Sequence, residues 1–252
     1  MLTLGIIGGS GLDDPDILDD VQDMEISTPY GTPTSPLKIG RIGDRKVVLA
    51  ARHGRTHTDS PTRVNNRANL WALKECGCEC ILATTAVGSL REEIDRGDLV
   101  ILDQFIDFTR LRSLTFHETF EPHTPIHTPM ATPFSSYLRD LLKAACLRQE
   151  VAHHDKGTVV TIEGPRFSTR AESNMFRAWG ADVINMSTAP ECILANELGL
   201  PYAAVAMSTD YDCWKEDEAP VSWEDVLQTF NSNVNKVTRV LLDTVRSYKT
   251  TA

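Results

Sequence analysis

Short apolar runs that break off at glycine, hydroxyl or charged residues recur along the chain, with amphipathic stretches between them. Residues 202–208 alternate small and β-branched side chains, the pattern of a buried strand, and the run stops at Ser208-Thr209-Asp210-Tyr211-Asp212. The same reading gives a strand over 4–7 that runs into Gly8-Gly9-Ser10-Gly11, and a strand pair, 37–42 and 46–51, around Gly43-Asp44. Further strands are expected over 80–89, 99–105, 157–162 and 182–186. Residues 65–76 form a helix with an apolar stripe at Leu70, Trp71, Leu73 and the stem of Lys74, closed by Gly77. A second helix covers 135–149. Two capping boxes, Thr169 with Glu172 and Thr188 with Glu191, open two more, and Ser222 with Asp225 caps a long amphipathic helix that ends the chain. Strands alternating with helices predict an α/β protein.

Two segments break the pattern. Residues 13–23 are acidic and read as a solvated loop or short helix, without the glycine-punctuated alternation of a calcium loop. Residues 109–133 have many Thr, His and Pro and no period; a long loop in a compact domain points to a lid or a subunit contact. No linker, repeat or low-complexity segment divides the 252 residues, so a single domain over 1–252 is expected.

Hydrophobic residues make up 41% of the chain, enough for a globular core and incompatible with disorder. No run is long enough to span a bilayer and no secretory leader opens the sequence, so a cytoplasmic protein without a membrane partner is expected. A net charge of -10 argues against a nucleic-acid partner, and any anionic ligand must be drawn by local positive charge. Cys76, Cys78 and Cys80 lack the paired spacing of a zinc site and read as reduced structural thiols, and Cys146, Cys192 and Cys213 as small core residues; no metal is expected.

In an open α/β sheet ligands bind at the C-terminal ends of strands, and here those ends carry chemistry. The glycine turn around Ser10 lets backbone N–H groups converge on an anion. Arg52-His53-Gly54-Arg55-Thr56-His57 offers a planar guanidinium fork and imidazole donors suited to phosphate. A metal pair at His53 and His57 would need a helix, which Gly54 disfavours; a plain surface loop is the third reading. Thr85 with Ala86, and Met186 with Ser187 at a helix start, add further anion-compatible groups. Asp210 and Asp212 admit two readings. In an extended continuation they point the same way and share a proton; alternatively they form an Asx-type turn. The chain thus carries anion donors in one group of strand ends and carboxylates in another, with no G-x-S-x-G, Cys-His pair or metal cluster.

The stretches Ile6-Ile7-Gly8-Gly9-Ser10-Gly11-Leu12, Ala51-Arg52-His53-Gly54-Arg55, Thr84-Thr85-Ala86-Val87-Gly88-Ser89-Leu90-Arg91, Thr161-Ile162-Glu163-Gly164-Pro165-Arg166-Phe167, Asn185-Met186-Ser187 and Thr209-Asp210-Tyr211-Asp212-Cys213-Trp214 resemble the trimeric purine nucleoside phosphorylases, most closely their 5'-methylthioadenosine phosphorylase branch. The resemblance implies a central twisted mixed β-sheet flanked by helices, a homotrimer, and phosphate as co-substrate without a further cofactor. It implies that Ser10, Arg52, His53, Thr85, Ala86 and Ser187 hold phosphate, Met186 lies under the ribose, and Phe167 and Ser168 flank the purine. Asp210 and Asp212 would face N7 and the 6-amino group as the catalytic acids, and His127 would reach a neighbouring subunit's site. Trp223, beside Val226, stands where many relatives carry a small aliphatic residue near the 5'-substituent, and the sequence stops at Ala252, short of a C-terminal tail that covers the site in relatives. Cleavage of methylthioadenosine to adenine and methylthioribose 1-phosphate is the expected reaction. Adenosine or 6-oxopurine phosphorolysis, hydrolysis by water, and adenine-nucleoside binding without turnover are the alternatives.

Overall fold

The computed structural model describes residues 2–9, 12, 16–217 and 222–249. Its strands are β1 (Thr3–Gly8), β2 (Asp19–Met24), β3 (Leu37–Ile42), β4 (Arg45–Ala51), β5 (Cys80–Ser89), β6 (Leu99–Ile101), β7 (Gln104–Phe108), β8 (His153–His154), β9 (Thr158–Ile162), β10 (Val183–Asn185) and β11 (Tyr202–Asp210). The helices are α1 (Asn66–Glu75), α2 (Ser136–Arg148), α3 (Arg170–Ala178), α4 (Thr188–Glu197) and α5 (Trp223–Ser247).

All the strands join one mixed sheet, ordered β2-β3-β4-β1-β5-β10-β9-β7, from which β11, β6 and β8 branch at β5. Side chains of β11 alternate between two cores: Ala203, Val205 and Met207 pack with α2 and α5, and Tyr202, Ala204 and Ala206 pack with α1 and α4. Burial on both faces explains why this strand is apolar from Tyr202 to Met207.

The topology leaves a gap where ligands fit. β5 pairs with β1 through Cys80–Ala83 and, antiparallel, with β10 through Gly88 and Ser89. On that edge Thr84 to Val87 have no ladder partner, while the other edge stays paired with β11. The strand therefore continues through Thr85 and Ala86, which sit in its middle and not at its end.

Several expectations are corrected. Residues 19–23 of the acidic segment, with Met24, form the edge strand β2, exposed along its length and paired antiparallel with β3, because backbone pairing at an edge needs no apolar pattern and its charges discourage a further strand. Of the rest of that segment, residues 16–18 form no regular element and residues 13–15 lie outside the described residues. The run 99–105 breaks in two, since β6 pairs with β11 whereas β7 pairs with β9. Between them the Asp103 carboxylate accepts from Gly157 N–H at 3.0 Å. On α1 the buried stripe is Ala68, Leu70, Ala72 and Leu73, and Lys74 is exposed. Cys213 is half-buried and donates to the Ser168 carbonyl at 3.3 Å, unlike the buried Cys146 and Cys192. The Thr169–Glu172 capping box forms, but the one at α4 does not: Ser187 is the N-cap without a side-chain cap bond, and Glu191 turns inward. The loop after β7 has no regular element up to α2, as expected.

Candidate active site

One cavity lies beside the unpaired stretch of β5. It is lined by Arg52, His53, His57, Thr85, Ala86, Met186, Ser187, Phe167, Ser168, Asp210, Asp212, Trp223 and Val226, with Ile162 and Ile184 among its apolar walls. Of the predicted site residues, Ser10 lies outside the described residues. His127 is on the exposed loop after β7 and does not line this cavity.

The cationic end is built on Arg52, which follows β4 and is 2% exposed. Its guanidinium is bidentate on Glu191 of α4, through Nε and, at 3.0 Å, through Nη2. Nη1 donates to the Thr84 carbonyl at 2.9 Å. Tyr202 donates to Glu191 Oε2 at 2.8 Å, so the carboxylate is held from two sides. The fork read from the sequence as turned to phosphate is thus first matched by a protein carboxylate, and Glu191 is a site residue that the sequence reading assigned to a helix cap. A charge buried this deeply needs such a partner.

Asn185 is the second residue the sequence reading passed over. Its amide donates to Thr85 Oγ1 at 3.1 Å and to Thr188 Oγ1 at 2.6 Å, and its carbonyl accepts from Thr161 Oγ1 at 2.8 Å. Thr85 and Ser187 hydroxyls stand 3.1 Å apart, fixed by this buried network at the mouth of α4, where the helix dipole favours an anion. Gly9 leaves room for the arrangement: a Cβ there would run into Arg52 Nη1 and come within 2.9 Å of Thr84 O. Gly9→Ala should therefore push Arg52 aside, weakening anion binding at this end of the cavity and costing about 1–3 kcal/mol of stability by overpacking. Steady-state kinetics and thermal unfolding check this.

At the other end β11 delivers Asp210, and the chain then turns. Asp212 adopts a left-handed backbone, φ 48°, and its N–H donates to Asp210 Oδ1 at 2.8 Å. The Asx-type turn is realised and the extended continuation is not, yet both carboxylates face the cavity. Ser168 donates to Asp212, with its hydroxyl 2.6 Å and 2.7 Å from the two oxygens. Tyr211 between them donates to Asp95 at 2.6 Å and anchors the turn.

Burial pushes the Asp210 carboxyl up to about 6; the charge of Asp212 adds to this, while hydrogen bonds from Thr209 and the Asp212 N–H work against it. Burial, then, and not chiefly the neighbouring acid, sets its proton. Thr209 Oγ1 donates to Asp210 Oδ2 at 2.8 Å and lies 3.2 Å from the Val87 carbonyl, to which it can turn when Asp210 is protonated.

Trp223 opens α5 with 40% of its surface exposed, and its ring lies 5.2 Å from that of His57, which lies 4.4 Å from that of His53. Arg112, from the long loop, donates to the carbonyls of Met186 at 2.6 Å and Glu163 at 2.7 Å, tying the ends of β10 and β9. No spacing signal in the sequence marks it. Among the described residues no group of three or more His, Cys, Asp or Glu is placed to hold a metal.

A doubly faced α/β sheet with anion donors and carboxylates at opposite ends of one cavity describes an enzyme class that brings an anion to a base-bearing substrate. The sequence profile described as the Phosphorylase superfamily matches residues 3–246, and the chain belongs to that superfamily. It is 55% identical over 245 residues to S-methyl-5'-thioadenosine phosphorylase of Danio rerio, covering 96% of this chain and 87% of that one. The Drosophila melanogaster protein of the same name is 51% identical over 244 residues, covering 96% and 84%. Among solved structures, methylthioadenosine phosphorylase from Schistosoma mansoni in complex with adenine superposes with a TM-score of 0.93 at 42% identity, covering 98% of this chain and 91% of that one.

Proposed function

We propose that the protein cleaves the N-glycosidic bond of S-methyl-5'-thioadenosine with inorganic phosphate, releasing adenine and 5-methylthioribose 1-phosphate. The observation that carries this is a single cavity lined by Arg52 at one end and by Asp210 and Asp212 at the other. Relatives at 51% to 55% identity bearing that activity in their names support it.

The chemistry follows from charge. As the purine leaves C1', the sugar becomes oxocarbenium-like and the base gains negative charge, so catalysis requires a proton at the base and an anion below the sugar. Asp210, whose burial raises its affinity for a proton, donates to N7 from its protonated form. Asp212, oriented by Ser168, accepts from the 6-amino group, which selects adenine over a 6-oxopurine. Phe167 covers the base, and Met186 lies under the ribose. Arg52, His53, Thr85, Ala86 and Ser187, with Ser10 from the glycine turn, hold phosphate near C1', converting a two-body collision into an oriented step. Glu191 and Asn185 position these groups without touching substrate.

Trp223 and Val226, with His57 behind the indole, form an apolar wall for the 5'-methylthio group. Trp223→Val is expected to lower kcat/KM for methylthioadenosine about 10- to 200-fold while changing adenosine less. Parallel assays on the two substrates check it, and equal losses would remove the indole from 5'-recognition.

The protein acts in the cytoplasm as a homotrimer, with the loop after β7 in the subunit contact and His127 reaching the neighbouring site. Two exposed apolar residues of that loop, Phe120 at 47% and Ile126 at 52%, support this placement. Among the described residues no helix is long and apolar enough to cross a membrane. A panel of methylthioadenosine, adenosine and inosine, each with phosphate, tests the substrate. Methylthioadenosine should be fastest and inosine slowest; preferential inosine cleavage would refute the role given to Asp212.

A further inference from the structure

The hydrogen-bonding role of His53 follows from its surroundings. Its Nδ1 lies 2.8 Å from the backbone carbonyl of Asp59, and a carbonyl oxygen only accepts, so Nδ1 carries a proton. The pairing is reciprocal: Asp59 N–H donates to the His53 carbonyl at 3.1 Å. Burial first, then the positive charge of Arg52, holds the imidazole down to about 3, and His57 and Arg112 act in the same direction. The ring is therefore neutral at pH 7, and its Nε2 is a lone pair. Among the described residues Nε2 makes no hydrogen bond, and His53 lines the cavity. This corrects the reading of His53 as one more donor to an anion.

An acceptor inside an anion site discriminates between anions. Hydrogenphosphate and sulfate are close in size and both carry two negative charges at neutral pH, but only hydrogenphosphate keeps an O–H. A lone pair facing the bound anion repels any oxygen of sulfate and accepts from the phosphate hydroxyl. We propose that His53 is a specificity-determining residue whose Nε2 accepts the P–O–H hydrogen bond, so that the site selects the hydrogen-bearing anion over sulfate. The proposal rests on the cavity being the phosphate site of a phosphorylase.

The same hydrogen balances the reaction. The C1'–N9 bond breaks, a C1'–O bond to phosphate forms, and the base leaves with a proton from Asp210. Hydrogenphosphate enters with one proton and the ester leaves as a dianion, so the hydroxyl proton must depart. Its acidity rises as the ester forms, because a phosphate monoester loses its last proton at a pKa of about 6. Nε2 holds that hydroxyl by accepting its hydrogen bond without taking the proton, which leaves to solvent, and solvent returns one to Asp210.

The experiment is 15N NMR of the full-length protein with labelled histidine, the His53 signals being identified by their loss in His53→Gln, combined with sulfate competition against phosphate in phosphorolysis. The expected result is a neutral His53 protonated at Nδ1 both before and after phosphate binds. Sulfate should compete about tenfold or more weakly than phosphate binds, and His53→Gln, whose amide can turn to donate, should narrow that ratio. A proton on Nε2 in the phosphate complex, or sulfate competing as tightly as phosphate, overturns the proposal and leaves the phosphorylase reading intact. Histidine signals indifferent to phosphate, together with turnover that does not need it, would overturn both.

Discussion

Asp210→Asn is expected to lower kcat on methylthioadenosine by about 10²- to 10⁴-fold, the range lost when a positioned proton donor is removed, with a much smaller change in KM. Asn is the informative choice because it preserves the local geometry. Its carbonyl still accepts from the Asp212 N–H, and its amide still reaches Thr209 as the protonated acid does. What it lacks is a transferable proton. The carboxyl is raised from 3.8 to about 6 by burial, so in the free enzyme roughly a tenth of it is protonated at pH 7, and kcat/KM should fall about tenfold per pH unit above about 6. The stability sign follows from the same shift. A carboxyl raised in the fold contributes nothing unfavourable below its unfolded value and costs stability as pH rises towards and through the folded one. The cost is on the order of 3 kcal/mol, accumulating between pH 4 and 6. Asp210→Asn should therefore be at least as stable as the parent at pH 8 while nearly inactive, and a parallel loss of both would place Asp210 in the framework instead of the chemistry.

Glu191→Ala carries the second large effect. The residue is 1% exposed and matches the Arg52 guanidinium and the Tyr202 hydroxyl. Removing one member of a buried pair leaves the other charge without its counterion, which costs about 3–5 kcal/mol. Because Arg52 loses its orientation, the KM for phosphate should rise more than the KM for nucleoside. Replacing both partners by apolar residues, as in Arg52→Met with Glu191→Leu, separates the two consequences: stability should return while phosphorolysis does not. Denaturant titration with steady-state kinetics on the single and double variants measures both, and recovery of phosphate use in the double variant would remove Arg52 from the anion site.

How much of this was legible in the sequence depended on the range of the interaction. β11, β5, the hairpin of β3 and β4, the closure of α1 at Gly77 and the capped starts of α3 and α5 follow from period and punctuation, because local sequence sets them. Most of the cavity lining from Arg52 to Asp212 was legible because strand ends in such sheets converge, whereas Thr85 and Ala86 enter it from the unpaired edge in the middle of β5. Glu191 was misread because a Thr three residues before a Glu satisfies a local rule, while the competing partners Arg52 and Tyr202 lie 139 and 11 residues away. Asn185 and Arg112 were overlooked for a related reason: each acts through several contacts from separate segments that only the folded chain assembles. The exposed β2 carries no apolar signal at all, since an edge strand is held by backbone pairing. His53 was seen at once as a site residue, but its role as acceptor waited on the position of one backbone carbonyl.

The central claim is that phosphate itself becomes bonded to C1' while a buried acid protonates the departing adenine. 31P NMR of a reaction containing methylthioadenosine and inorganic phosphate tests it directly. A new phosphomonoester signal should grow in equal measure with released adenine, and no adenine should form without phosphate. Adenine release without a phosphomonoester would contradict the account, since water would then be the nucleophile.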